Sequence, residues 1–344
     1  MRAVVTGGAG FIGSHLVAEL VAHRHEVVVL DNLSTGRRSN LPDLSAGAPI
    51  EFHEADITEA ALAPLLAGAD WVFHLAALTD IVPSIERPLD YHRANVDGTV
   101  RLLEAARAAG VRRFVYAASS SCYGIPDVYP TPEDAPARPQ YPYALTKYLG
   151  EQYVLHWAEC YGLPALSLRL FNVYGPRART TGTYGAVFGV FLAQRLNVKP
   201  LTIVGDGTQT RDFTYVTDVA RAFRLAAESS ITGRVYNIGS GGTYAVNRIA
   251  ALIGGPTVHI PRRPGEPDCT FADVTRARED FGWQAEMSLD QGVGLLLEQI
   301  EEFRDAPVWE PDSIAAATRQ WFRYLGRTDR TVAGASSEAA GGRP

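Results

Sequence analysis

A tyrosine and a lysine stand four residues apart in YALTK, at Tyr143 and Lys147. On a helix that spacing stacks the two side chains on one face. Such a pair can move a proton. A free phenol titrates near 10 and is a poor base at neutral pH. A neighbouring ammonium, helped by a cationic ring, favours the phenolate and brings it toward working range. Roughly twenty residues earlier the apolar run RFVYAASSSCYG contains three serines, Ser119, Ser120 and Ser121. Hydroxyls at the end of a buried strand are poor core material but good partners for a reacting group. Ser119 and Ser121, two apart, face the same side if the strand continues through them.

A second chemistry is written at the start of the chain. VVTGGAGFIGSHLV carries Gly7, Gly10 and Gly13 directly after a strand-like run and at the opening of a helical one. Glycine there permits a tight turn and close approach of backbone to a pyrophosphate, whose charge suits a helix N-terminus. Asp31 ends the next strand, VVVLD, 31 − 13 = 18 residues later, where an acid can bond the ribose hydroxyls of adenosine. The pattern predicts a dinucleotide, and a carboxylate that repels a 2′-phosphate favours NAD over NADP. Arg37 and Arg38 read as solvated loop charges.

These groups need a scaffold. RAVVTG, EVVVLD, IEFHEAD, WVFHLAA, RFVYAASS and LSLRLFN are short, nearly continuous apolar runs, as strands buried on both faces should be. Between them lie amphipathic segments, such as Ile12, Leu16 and Leu20 at i, i+4 and i+8. The alternation predicts an α/β fold with a Rossmann-type, doubly wound parallel sheet. After about residue 175 the connections lengthen and gain glycine and proline. The expected organisation is a dinucleotide domain over 1–172 and a smaller, interleaved C-terminal substrate lobe over 173–328. A flexible tail of small and polar residues is expected over 329–344.

With TGGAGFIG and Tyr-x-x-x-Lys together, the chain resembles the extended short-chain dehydrogenase/reductase superfamily over nearly its whole length. Within it, the chain looks most like the nucleotide-sugar 4-epimerases. The resemblance implies NAD as cofactor, a UDP-sugar as substrate and a homodimer built from the segments 91–109 and 144–160. It makes Ser119, Tyr143 and Lys147 catalytic. Phe11, Ile12, Asn32, Asp56, Ile57, Ala76, Ala77 and Asn95 join the glycines and Asp31 at the cofactor, where Tyr143 and Lys147 also reach. Ser84, Ser119, Ser121, Tyr143, Asn172, Thr202, Val204, Arg211, Arg263, Glu266 and Thr270 fall at substrate positions. Arg211 and Arg263 would grip the diphosphate, Glu266 a ribose, and Thr202 to Val204 would run beside the base. Asp212 and Asp218 would be structural, His74 a satisfied core histidine and Cys122 a small buried apolar residue.

The same resemblance ranks the reactions. Relatives that eliminate water carry an acid pair where this chain has Ser120 and Ser121, so epimerisation through a 4-keto sugar is the better reading. Thr270 stands where a large tyrosine would confine the pocket to plain hexoses. That small residue, with the loop TGTYGAVFGVF, places UDP-N-acetylglucosamine/galactosamine ahead of UDP-glucuronate and UDP-glucose. The C-terminal DSIAAATRQWFRYLG reads as an added helix capped by Asp312 or Ser313.

Bulk properties exclude other classes. The net charge of −6 is spread without basic blocks, which argues against nucleic acid or an anionic membrane as partner. The three cysteines, Cys122, Cys160 and Cys269, have no paired spacing, so neither a disulfide framework nor a metal site is expected, and a cytoplasmic location fits. The apolar N-terminal run is interrupted by four glycines, unlike a signal peptide, and no run of membrane-spanning length occurs.

Overall fold

The computed structural model describes residues 1–41, 49–178 and 186–326. Seven strands form one parallel sheet: β1 (Arg2–Thr6), β2 (Glu26–Asp31), β3 (Ile50–Glu54), β4 (Trp71–His74), β5 (Arg113–Ser119), β6 (Ala165–Leu170) and β7 (Val235–Ile238). Their order is β7-β6-β5-β4-β1-β2-β3. The order reverses between β1 and β4, and a crevice at the carboxyl ends of those strands is where such folds bind ligands.

The helices that bear on the site are α1 (Phe11–Ala22), α2 (Ile81–Glu86), α3 (Gly98–Ala109), α4 (Pro142–Tyr161) and α5 (Val187–Leu196). After them come α6 (Val216–Glu228), α7 (Val246–Ile253), α8 (Leu289–Glu298), α9 (Pro311–Ala317) and α10 (Arg319–Leu325). Successive strand residues feed opposite layers. Ala3, Val5, Val27, Val29 and Phe73 pack with Leu16 and Leu20 of α1 and with Val219 and Phe223 of α6. Val4, Val28 and Val72 pack with Leu102 and Leu103 of α3 and Val154 and Trp157 of α4. Apolar side chains on both faces explain why the strands read as unbroken hydrophobic runs.

A second core holds the smaller lobe. Phe188 and Phe191 of α5 meet Ile249 of α7, Val293 of α8, Phe213 and Ile203. Ile203 lies on the strand 201–204, which pairs in parallel with 257–260. α6 and β7 lie beyond residue 172 yet belong to the sheet layers, and Ala277 and Trp283 join the same core later still, so the chain leaves the sheet and returns to its layers twice. The predicted C-terminal helix is two short ones. Glu310, not Asp312 or Ser313, caps the first, in a reciprocal box with Ser313. The break falls at Thr318, whose hydroxyl bonds back to the Ile314 carbonyl at 2.8 Å. Gly182–Gly185 of the predicted substrate loop and the expected tail lie outside the described residues. Among the described residues no helix is long and apolar enough to cross a membrane.

Candidate active site

Glycine is required at the turn from β1 into α1. Gly7 has φ +70°, and a Cβ there would lie 2.6 Å from the Ala76 amide nitrogen. At Gly13 a Cβ would lie 2.1 Å from the Gly7 carbonyl oxygen. Both neighbours are backbone, so the close approach of α1 to the turn excludes any side chain. Gly10 precedes α1 in extended conformation, and no side chain caps the helix. Its first N–H groups and the positive end of its dipole therefore suit an anion. Phe11, Ile12, Ala76 and Ala77 line the same cavity.

The Asp31 carboxylate, which lines the cavity, accepts from Ala9 N at 3.0 Å and Leu33 N at 2.8 Å. Burial pushes its pKa up, and those two donors pull it back. Asn32 donates to Asp56 at 2.7 Å. Burial pushes the Asp56 carboxyl up too, but bonds from Thr58 and Asn32 outweigh it and hold the group below its ordinary value. Asp56, Ile57 and Asn32 all face the cavity. The backbone cradle and the acid at the ribose position fit NAD.

His74 is a satisfied core residue, its ring nitrogens bonded to Thr6 at 2.8 Å and Thr99 at 2.9 Å. Asn95, expected at the cofactor, is buried and does not line the cavity. It is bonded to both Leu78 N and Leu78 O and donates to Thr146 of α4 at 3.0 Å. It thus ties the cavity wall at Leu78 to the helix that carries Tyr143 and Lys147.

The three residues expected to be catalytic come together in the cavity. Ser119 ends β5, Tyr143 and Lys147 lie on α4, and all three line the cavity. The Ser119 hydroxyl acts on the Tyr143 phenol and lowers its pKa. It also accepts from Ser121 Oγ at 2.8 Å and Ser121 N at 3.2 Å. Ser121 is not on the strand. The chain turns into a short 3₁₀ helix at Ser120–Tyr123 that Ser119 caps, so the turn rather than strand pleat brings the two hydroxyls together.

The electrostatics differ from the expectation. Tyr143 keeps part of its surface open to the cavity, yet the surrounding protein pushes its phenol above 10, with the Ser119 hydroxyl opposing. Lys147 does not offset this. Burial pushes the ammonium itself down to about 7 while Glu151 pulls it back up, and its Nζ lies 4.2 Å from the centre of the Tyr116 ring. Without ligands, desolvation is the largest influence on both groups. Glu151, four residues along α4, is paired with Arg169 of β6 at 2.6 Å.

The far end of the cavity is built from the second lobe. Thr202 and Val204 line it from the strand 201–204. Arg211 and Arg263 meet the same carboxylate, Glu266, at 3.7 Å and 2.9 Å. Two guanidinium groups that converge on one acid are placed to share an anion. Asn172 also lines the cavity, but its amide nitrogen donates to Asp212 O at 3.0 Å and Thr270 Oγ1 at 2.8 Å. Thr270 is therefore both a small wall residue and a fastening for Asn172. Asp212 accepts from the Ala272 and Ser240 amides, and Asp218 from those of Glu286 and Met287, both structural as expected.

Ser84 corrects another expectation. It is buried, its hydroxyl donates to Ile81 O at 2.6 Å, and it does not line the cavity. Several lining residues escaped sequence reasoning: Asp80, Tyr141, Gln209, Trp309 and Trp321. Gln209, two before Arg211, was open to a same-face argument. Trp321 carried no local signal.

Comparison with known proteins agrees with this geometry. Residues 3–239 match the model of the NAD dependent epimerase/dehydratase family. The chain is 41% identical over 308 residues to a UDP-glucose 4-epimerase of Mycolicibacterium smegmatis, covering 87% of this chain and 98% of the relative. A UDP-N-acetylglucosamine 4-epimerase from Methanobrevibacter ruminantium superposes with TM-score 0.81 at 33% identity, over 87% of this chain and 98% of that one. A UDP-glucuronic acid 4-epimerase from Bacillus cereus, solved with UDP-glucuronic acid and NAD, gives 0.82 at 33% identity, over 88% and 99%. On sequence, sheet order and cofactor cradle alike, this chain belongs to the NAD dependent epimerase/dehydratase family.

Proposed function

We propose that the chain epimerises a UDP-sugar at C4 and that the N-acetylglucosamine/N-acetylgalactosamine pair is its substrate. One observation carries this reading. A single cavity of about 760 Å³ is lined at one end by the dinucleotide cradle, at the centre by Ser119, Tyr143 and Lys147, and at the other end by Arg211 and Arg263. NAD, when bound, supplies a hydride acceptor and donor at C4. Tyr143 takes the proton of the sugar 4-hydroxyl and later returns it, and Ser119, whose hydroxyl lowers the phenol pKa, assists that exchange. Lys147 reaches the nicotinamide ribose. Arg211 and Arg263 hold the diphosphate, Glu266 bonds a ribose, and Asn172 keeps the wall between them. Inversion requires the 4-keto sugar to turn, so a firm hold on the nucleotide and a loose one on the sugar suit it.

Two features bear on the sugar. Thr270 leaves room that a bulky residue would fill. Asp80 lines the cavity and its charge acts on Tyr143, so a sugar carboxylate would add like charge there, which favours a neutral sugar over a uronate. The partner is a second copy of this chain. Leu89, 80% exposed beside α3, and Leu145 and Tyr153, exposed on α4, supply apolar surface for it. Three free cysteines suit a reducing cytoplasm.

The test is mass-resolved chromatography of a UDP-sugar panel incubated with the protein, with no cofactor added. An isomer of equal mass from UDP-N-acetylglucosamine supports the reading. An isomer from UDP-glucose alone refutes the sugar assignment, and a product lighter by water or carbon dioxide refutes epimerisation.

A further inference from the structure

Helix α10 lies at the end of the described chain, far in sequence from every catalytic residue, yet one of its side chains lines the active-site cavity. Trp321 is 3% exposed and holds three groups at once. Its indole N–H donates to the Pro264 carbonyl at 2.8 Å. Its ring lies 5.5 Å from the Arg263 guanidinium carbon. On another side it meets the Tyr141 ring at 6.1 Å between centroids. Tyr141 in turn stacks on Tyr143 at 6.3 Å, with 10° between ring planes.

The helix is fixed on both sides of the cleft. It packs against α2 of the first lobe. A Cβ on Gly265 would be in ordinary contact with Leu325 at 3.8 Å, so the loop carrying Arg263 and Glu266 rests on α10. The preceding helix is anchored by Ile314, which is buried against Val204 and Ile260 of the smaller lobe. α9 and α10 together therefore strap the two lobes across the sugar-diphosphate end.

We propose that Trp321 is a positioning residue of the active site: it seats Arg263 for the diphosphate and, through Tyr141, holds the ring beside the catalytic tyrosine. This rests on the reading of the cavity as a UDP-sugar site. The physical basis is a cation held over an aromatic face in a desolvated place, with the loop backbone fixed by the indole N–H. Trp321→Phe keeps the ring and loses the N–H bond. Trp321→Ala loses both.

The experiment measures binding of UDP by calorimetry to the NAD-loaded protein and to both variants, with bound NAD and melting temperature recorded, followed by kcat and KM. Trp321→Ala should weaken UDP at least tenfold, which is about 1.4 kcal/mol. Trp321→Phe should recover part of that loss, with NAD content unchanged in both. A role in stability alone would lower the melting temperature and leave UDP affinity and KM where they were, and that result overturns the proposal. Equal affinity of wild type and Trp321→Ala overturns it as well, while the UDP-sugar reading stands. Absence of UDP binding to the wild type overturns both.

Discussion

Lys147 should cost the protein stability, and by an amount that depends on pH. It is 4% exposed, and burial pushes its ammonium from 10.5 down to about 7. In the unfolded chain the same lysine titrates near its ordinary value. Between those two values the unfolded state carries a proton that the folded state lacks, so stability rises with pH across that window. Below about pH 7 the cost is complete and flat. The slope approaches about 1.4 kcal/mol per pH unit, and over 10.5 − 7 = 3.5 pH units the whole cost is at most about 5 kcal/mol. Lys147→Met keeps an apolar chain against Tyr116, and Glu151 retains its partner Arg169. The assay is urea unfolding of the NAD-free wild type and variant at a series of pH values. The variant should be several kcal/mol more stable near pH 7, and the gap should shrink by about 1 kcal/mol or more per pH unit as pH rises. Activity should be lost throughout. Parallel curves, or a less stable variant at pH 7, would refute the reasoning and show that Glu151 and Tyr116 fully compensate the buried charge.

Other substitutions probe the remaining groups. Tyr143→Phe should lower kcat by about 10²- to 10⁴-fold in steady-state assays, with NAD still bound. Ser119→Ala removes the hydroxyl that lowers the Tyr143 pKa, so the rise of kcat with pH should move to higher pH; an unmoved profile would leave Ser119 without that role. Gly13→Ala puts a Cβ 2.1 Å from the Gly7 oxygen and must displace α1. Purified protein should then contain little NAD, as read by absorbance after acid release. Arg211→Met, which leaves Glu266 with Arg263 alone, should raise KM for the UDP-sugar at least tenfold, about 1.4 kcal/mol, and spare NAD content.

The parts legible in the sequence are those whose cause is local. Val4, Val5, Val28 and Val29 announce their strands because each faces an apolar layer. Gly7 and Gly13 announce the turn because no other residue fits there. Tyr143 and Lys147 declare a common face by spacing alone. What failed depends on surroundings. Ser84 has a polar side chain that a short helix turns inward to its own backbone. Ser121 lies past the point where β5 gives way to a turn. The Tyr143 phenol is pushed upward by burial, and Lys147 is itself desolvated; burial is not a property of a motif. Trp321 meets Pro264 across 57 positions of chain, a contact that no periodicity encodes.

In epimerisation through a 4-keto sugar, hydride leaves C4 and returns to C4 of the same molecule. This return is tested most directly with UDP-N-acetylglucosamine carrying deuterium at C4, incubated with the protein alone. The expected product is a C4 epimer of unchanged mass with deuterium still at C4, seen by mass spectrometry and proton NMR. Deuterium found at C6 with loss of water, or lost from the sugar to free cofactor, would contradict it.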